Sequence, residues 1–104
     1  MRVEWSARAV QDLNAIFDYI ALDNPVAALQ WVHRLQARAR LAGVAPLAGR
    51  VVPELERDDV REVFLHSYRI VYRVLSDEVH VLTVFEGHRM FPRNVAPTVE
   101  GDEW

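Results

Sequence analysis

The residues of this sequence that could carry chemistry are arginines and a histidine in its second half. Arg61, Arg69 and Arg73 lie in segments of strand-like composition, and His88-Arg89 follows the last such segment. Neighbouring antiparallel strands bring cross-strand residues to within about 5 Å, so we expect Arg61, Arg69 and the His88-Arg89 corner to converge. Such a cluster would attract phosphates or acidic side chains. His88 would act as a proton shuttle there, because imidazole titrates near neutral pH.

Each of these residues also has a purely structural interpretation. Arg61 would form an ion pair with a nearby acid such as Glu62 or Glu54. Arg73 would lie on a solvated sheet face, and His88 would be an exposed loop residue. The residue types alone leave both interpretations open.

The composition excludes several other chemistries. The 104 residues contain no cysteine, which rules out disulfides, thiolate metal sites and thiol nucleophiles. The 4 histidines lack ligand spacing and no phosphate-binding glycine loop occurs, so we expect neither a metal nor a cofactor. All basic residues are arginines, and residues 1–97 carry 12 of them against as many carboxylates. That balance is unlike the basic excess of a nonspecific nucleic-acid binder.

Two amphipathic helices are predicted in the first half of the chain. Ser6 is a good N-cap, and apolar residues follow it at three-and-four spacing from Val10 to Ile20. Asn24-Pro25 combines a cap with proline at the first helical position, and Gly43 is the predicted end of the second helix. The short link between the helices requires an antiparallel hairpin.

The second half has the composition of strands. Residues 60–65, 68–75 and 79–85 are rich in valine, tyrosine and phenylalanine and are separated by turn residues. Short strands are expected at 3–5 and 51–52. Alternation places Tyr68, Ile70 and Tyr72 on one face of the middle strand and Arg69 and Arg73 on the other.

These elements predict an α+β fold in which an N-terminal strand and a helical hairpin pack on a small, mainly antiparallel sheet. We expect one domain at 1–94 and an acidic tail at 95–104. The low-charge segment 79–85, or the first strand, would need a covering partner if it lay at a sheet edge. With no signal peptide and no apolar run of membrane-spanning length, we expect a cytoplasmic protein that does not enter the membrane.

Several short motifs resemble those of the RelE/ParE family of bacterial type II toxins, in order and in spacing. They are Asn24-Pro25, Gly49-Arg50-Val51-Val52-Pro53-Glu54, Arg61-Glu62-Val63, Tyr68-Arg69-Ile70-Val71-Tyr72-Arg73, Val81-Leu82-Thr83-Val84 and Gly87-His88-Arg89. The resemblance extends from Trp5 to Pro92. It implies a β-α-α-β-β-β architecture and a cognate antitoxin that silences the toxin in a complex.

The family resemblance implies two alternative activities. RelE-type toxins cut mRNA on the ribosome, and by this resemblance Arg69 would clamp phosphate, His88 would be the acid or base and Arg61 would add charge. Glu54 is a weaker candidate base. The chain lacks the lysines and the C-terminal tyrosine that such nucleases use.

ParE-type toxins inhibit DNA gyrase and need no such catalytic set. The resemblance favours this activity, with Arg73 and Arg89 as candidate binding residues. A third interpretation is an inactive scaffold that only binds the antitoxin.

Overall fold

The structure, a computed structural model, describes residues 1–95, and every predicted element is present within one or two residues of its expected ends. The helices are α1 (Ala7–Ala21) and α2 (Pro25–Val44). The strands are β1 (Arg2–Trp5), β2 (Arg50–Val51), β3 (Val60–Leu65), β4 (Tyr68–Val74) and β5 (Glu78–Glu86). Single-turn 3-10 helices occupy Pro46–Ala48 and Arg93–Val95. The α+β prediction is therefore confirmed.

Both helices begin at the predicted capping residues. The Ser6 hydroxyl accepts a hydrogen bond from the Ala9 N–H at 3.0 Å and donates one to the carbonyl of Leu82, also at 3.0 Å. The Asn24 side chain accepts from the Ala27 N–H at 3.0 Å. Ser6 thus caps α1 and also ties its first turn to β5.

The strands form one sheet in the order β1-β5-β4-β3-β2. β1 runs parallel to β5, and the other neighbours are antiparallel. The long strand β5 lies between β1 and β4, so of the two strands considered for a sheet edge only β1 is there. β1 pairs with Glu78–Val81 alone, which leaves the second half of β5 without a strand on that side.

A hydrophobic core lies on each face of the sheet. The predicted alternation of β4 is confirmed, since Ile70 and Tyr72 face the helices while Arg69 and Val71 face away. The buried members of the helix-side core are Ala9, Leu13, Leu35, Ala39, Ala42, Val63, Ile70, Tyr72, Val79, Val81 and Val84. Those of the second core are Val52, Val60, Val71, Leu82, Phe85 and Val95.

The C-terminal segment covers part of the second core. Phe91 packs edge-on against Phe85 with ring centroids 5.6 Å apart. Val95, the first residue of the predicted tail, is fully buried in the 3-10 helix, and the other nine residues of that prediction lie outside the described residues.

Neither helix of the described region combines the length and the apolar character that crossing a membrane requires.

Candidate functional site

Arg69 is the centre of a charged cluster on the helix-free face of the sheet. Its Nε donates to Glu62 Oε1 at 2.6 Å, and its two terminal nitrogens donate to the carboxylate of Glu54 at 2.8 and 2.9 Å. The Arg69 residue is only 6% exposed. Its guanidinium also lies 5.1 Å from the ring centroid of Phe85 and 5.5 Å from that of Phe91. Carboxylates therefore occupy its hydrogen-bonding edges, and aromatic rings cover it.

Glu62 links this cluster to the neighbouring strand. Its carboxylate is fully buried and accepts from Arg50 Nε at 2.6 Å through the oxygen that does not face Arg69. Arg50 in turn lies over the ring of Phe64, 5.2 Å from its centroid. The result is a Glu54-Arg69-Glu62-Arg50 chain of alternating charge across β4, β3 and β2. Its two inner members, Arg69 and Glu62, are buried, and their charges are tolerated because each has opposite partners.

The charges perturb one another in the expected directions. The hydrogen bonds from Arg69 hold the pKa of Glu54 below its usual value. The Glu54 carboxylate, followed by that of Glu62, raises the pKa of Arg69 above its ordinary value. Both groups are thus ionised at neutral pH and neutralise each other.

Arg61 lies on the opposite face of the sheet from Arg69, and the expectation that the two converge is wrong. Arg61 is paired in register with Tyr72, which faces the helices, so its side chain shares that face. Its guanidinium donates to three carbonyls, those of Asp58, Leu47 and Gly49, at 3.0 to 3.2 Å. Arg61 thereby holds the segment that leads into β2, together with the Tyr72 hydroxyl, which donates to the Pro46 carbonyl at 2.7 Å.

The interpretation of Arg61 as an ion-pair partner of Glu62 or Glu54 is also wrong, because both acids bind Arg69. Sequence adjacency suggested the pairing of Arg61 with Glu62, but consecutive residues of a strand point to opposite faces.

Arg73 is engaged on the same face as Arg69. Its Nε donates to Asp59 Oδ2 at 3.1 Å, and Arg57 contacts the same carboxylate at 2.8 Å. Burial acts to raise the pKa of Asp59, but the hydrogen bonds from Arg57 and Arg73 outweigh it, so that pKa lies below its usual value. Arg73 is therefore a partly buried member of an ion-pair network and not a solvated side chain.

His88 and Arg89 lie beyond the end of β5, which is at Glu86. The His88 side chain is 86% exposed, and its Nδ1 is 2.8 Å from Glu86 Oε2. The hydrogen bonds from the His88 side chain and backbone lower the pKa of Glu86. Arg89 is exposed, and within residues 1–95 its guanidinium makes no ion pair.

Arg89 lines a cleft of about 670 Å³ that the sequence analysis did not foresee. We call it the α1–β5 cleft, and define it by the residues Arg8, Asp12, Ala15, Ile16 and Tyr19 of α1, Tyr68 of β4, Val84, Phe85 and Glu86 of β5, and Arg89, Met90 and Pro92. The α1 members recur at helical spacing, so they form one side of the helix. That spacing was visible in the sequence, but nothing indicated that this side would face β5.

Some polar groups of the cleft already have hydrogen-bond partners within the protein. Asp12 accepts from Arg8 Nε at 3.2 Å, from the Thr83 hydroxyl and from the Val84 N–H at 3.1 Å. Asp12 thus accepts hydrogen bonds from the part of β5 that has no pairing with β1. Burial raises the pKa of Tyr68, with a further contribution from the Glu86 charge, so its hydroxyl is protonated at neutral pH.

The described residues contain no group of three side chains suited to hold a metal ion. The five residues predicted to form the site, all within the described region, do not come together into one phosphate-binding cluster. Arg69 and Arg73 are bound by different carboxylates, Arg61 holds the loop before β2, and His88 and Arg89 lie past the end of β5.

The family of the chain follows from its similarity to known proteins. The family model described as the ParE toxin of the type II toxin-antitoxin system, parDE, matches residues 3–91. Putative toxin Y4kP of Sinorhizobium fredii is 34% identical over 94 residues, covering 88% of this chain and 94% of that protein. Toxin RelE2 of Caulobacter vibrioides is 33% identical over 89 residues, covering 86% and 98%.

A solved structure has the same fold. It is described as the chromosomal ParDE TA system from P. aeruginosa, and it superposes with a TM-score of 0.70 at 27% identity, covering 83% of this chain and 95% of that one. Fold and relatives together define a toxin of a type II toxin-antitoxin system. Within that class, the chain belongs to the ParE toxin family.

Proposed function

We propose that this toxin is silenced by a cognate antitoxin and acts by binding and inhibiting DNA gyrase, the activity that the resemblance to ParE-type toxins implies. The observation that carries the proposal is the state of Arg69. This arginine would have to clamp phosphate in a nuclease, yet two carboxylates bind its guanidinium and two aromatic rings cover it.

A nuclease of the RelE type needs a cation for the phosphate, a base for the attacking hydroxyl and an acid for the leaving oxygen. Here Arg61 is on the far face from Arg69, and His88 is engaged with Glu86 at the end of β5. A phosphate that approached Arg69 would have to displace Glu54 and would meet the buried charge of Glu62. An inhibitor that acts by binding requires none of this rearrangement.

A second candidate is ribosome-dependent mRNA cleavage, for which one observation speaks: the relative from Caulobacter vibrioides carries the name toxin RelE2. In that alternative Arg69, Arg61 and His88 would have the roles given above. The third alternative is the inactive scaffold.

The test compares two purified systems. Relaxed plasmid and purified DNA gyrase are incubated with the toxin, and supercoiling is followed on gels. In parallel, a translating ribosome preparation with labelled mRNA is incubated with the same toxin. We expect inhibition of supercoiling at toxin concentrations comparable to those of gyrase, and intact mRNA.

His88→Ala is the matched variant, because its side chain is exposed and its loss should leave the fold unchanged. Under the proposal this variant inhibits gyrase as the wild type does. Specific mRNA fragments that vanish with His88→Ala, alongside unimpaired supercoiling, would establish the nuclease instead. If induced expression causes no growth arrest and neither assay shows an effect, the protein is the inactive scaffold that only binds the antitoxin.

A further inference from the structure

We propose that the edge of the sheet beside α2 binds the phosphate backbone of duplex DNA through Arg34, Arg38 and Arg61. We call this surface the α2–β3 edge, and define it by the residues Trp31, Arg34 and Arg38 of α2, Arg61 and Phe64 of β3, and His66 of the turn between β3 and β4. The choice of DNA rests on the proposed inhibition of gyrase, an enzyme that acts on DNA.

The two arginines of α2 are held at this edge by neutral groups. Arg34 donates to His66 Nε2 at 2.8 Å, and its guanidinium lies 4.8 Å from the ring centroid of Trp31. Arg38 Nε donates to the Phe64 carbonyl at 3.0 Å, beyond the two residues of β3 that pair with β2. These contacts fix the position of each guanidinium and leave its positive charge uncompensated.

Arg61 continues the same arrangement toward the start of β3, since its guanidinium donates to backbone carbonyls alone. Burial raises the pKa of the Tyr72 hydroxyl, and the charges of Arg61 and Arg38 both act against that rise, which places both near this one hydroxyl. From Arg61 to His66 the contact points of the three arginines follow one another over about 16 Å of chain, at 3.3 Å per residue. The three cations therefore form a row along the edge.

No carboxylate neutralises this row within residues 1–95. The arginines of that region that form ion pairs are others, namely Arg2, Arg8, Arg50, Arg57, Arg69 and Arg73. Residues 24–53, which include all of α2, contain four arginines and no acidic residue. The overall balance of charge thus conceals a local basic excess, which is the electrostatic footprint of a surface that binds polyanions.

The chemistry of the edge favours a phosphate backbone over an acidic protein surface. A nucleic-acid strand presents anions in a regular row, and guanidinium groups bind phosphate oxygens through several N–H donors at once. A protein partner would have to supply three carboxylates along the same line. Each phosphate contact also releases counterions, a gain that a folded protein surface of ordinary charge density does not offer.

The test measures binding of full-length toxin to a short labelled DNA duplex without gyrase, by fluorescence anisotropy at a series of salt concentrations. Three phosphate contacts predict a slope of about −3 for the logarithm of affinity against that of salt concentration. Arg34→Gln and Arg38→Gln should each weaken binding and reduce this slope by about 1. The glutamine at position 38 keeps an N–H donor for the Phe64 carbonyl, and circular dichroism verifies that each variant is folded.

Arg40→Gln is the matched control. Arg40 is an exposed arginine of the same helix, two residues after Arg38 and therefore about 200° around the helix axis from it. This variant should bind the duplex as the wild type does. A glutamate oligomer with the same number of charges as the duplex provides the comparison with an acidic protein, and we expect it to bind more weakly.

A wild-type toxin that fails to bind the duplex at low salt overturns the proposal, as does an equal loss of binding in Arg40→Gln. Equal binding of the glutamate oligomer, with the same sensitivity to Arg34→Gln and Arg38→Gln, assigns the edge to an acidic protein and also overturns it. Failure of the gyrase proposal is separate, because duplex binding with unimpaired supercoiling would overturn that proposal alone.

Discussion

Glu62 is the residue on which the charged layer of the sheet depends. Its side chain has no solvent exposure and accepts hydrogen bonds from two arginines, one on each neighbouring strand. Loss of one member of a buried charge network leaves its partners unpaired in a medium of low polarity. Glu62 thus helps to neutralise the buried Arg69, while its second partner, Arg50, is largely exposed.

We expect Glu62→Gln to lower the free energy of unfolding by about 1–3 kcal/mol, because the buried Arg69 loses one of its two charged acceptors and keeps Glu54. Urea denaturation measures the change. Glu4→Gln, which removes an exposed ion pair with Arg2, should cost less than about 1 kcal/mol. Similar losses for the two variants would contradict the role assigned to Glu62.

Glu54 makes stability depend on pH. Folding lowers the pKa of its carboxyl through the hydrogen bonds from Arg69. Its contribution is therefore complete above the unfolded value of about 4.3 and is lost as the pH falls through the lower folded value. Glu54→Gln should lower the melting temperature at pH 7 and much less near pH 2. A difference that stays constant over this range would show that the Glu54 charge adds nothing.

At the scale of elements, the junction of α1 with β5 ties the helical hairpin to the sheet. Ser6 caps the helix and donates to the Leu82 carbonyl, while Asp12, two turns later, accepts from the Val84 N–H. These bonds place one side of α1 along the part of β5 that has no strand beside it. The α1–β5 cleft exists because a helix, rather than a sixth strand, lies there.

The two helix caps should therefore differ in importance. Ser6→Ala removes a cap and a buried hydrogen bond to β5, and should cost about 2 kcal/mol. Asn24→Ala removes an exposed cap alone and should cost about 1 kcal/mol. Unfolding free energies of both variants give the comparison, and a larger loss at Asn24 would contradict it.

At the scale of the whole molecule, a single sheet separates two cores that have no residue in common. Ile70 and Val71 are neighbours on β4, are both fully buried and belong to different cores. Because the same strands contribute residues to both cores, neither core can unfold without disrupting the other.

This arrangement predicts one cooperative unfolding transition. Ile70→Ala and Val71→Ala should each lower the unfolding free energy by about 2–4 kcal/mol and leave the denaturant slope unchanged. Fluorescence of Trp5 and Trp31 on the helix side, measured in a Trp104→Phe background because the sequence has a third tryptophan there, should coincide with far-UV circular dichroism. For Val71→Ala, separate transitions by the two probes would show that the second core unfolds by itself.

The elements and the two faces of β4 were predictable from residue type and period, because alternation and helical spacing are local properties of the backbone. The same reasoning failed at Arg61. The candidate site required residues of different strands to meet, and a register pairing that puts Arg61 beside Tyr72 sends its side chain to the helix face.

The sequence by itself determined the secondary structure, the absence of thiol chemistry and, through its motifs, the toxin family. Only the tertiary structure decided which carboxylate neutralises which arginine, and that Arg89 opens onto a cleft. Glu54 meets Arg69 across 15 positions and Asp12 meets Val84 across 72. Such contacts depend on strand order and on how α1 docks on β5, and a local pattern of residues carries no information about either.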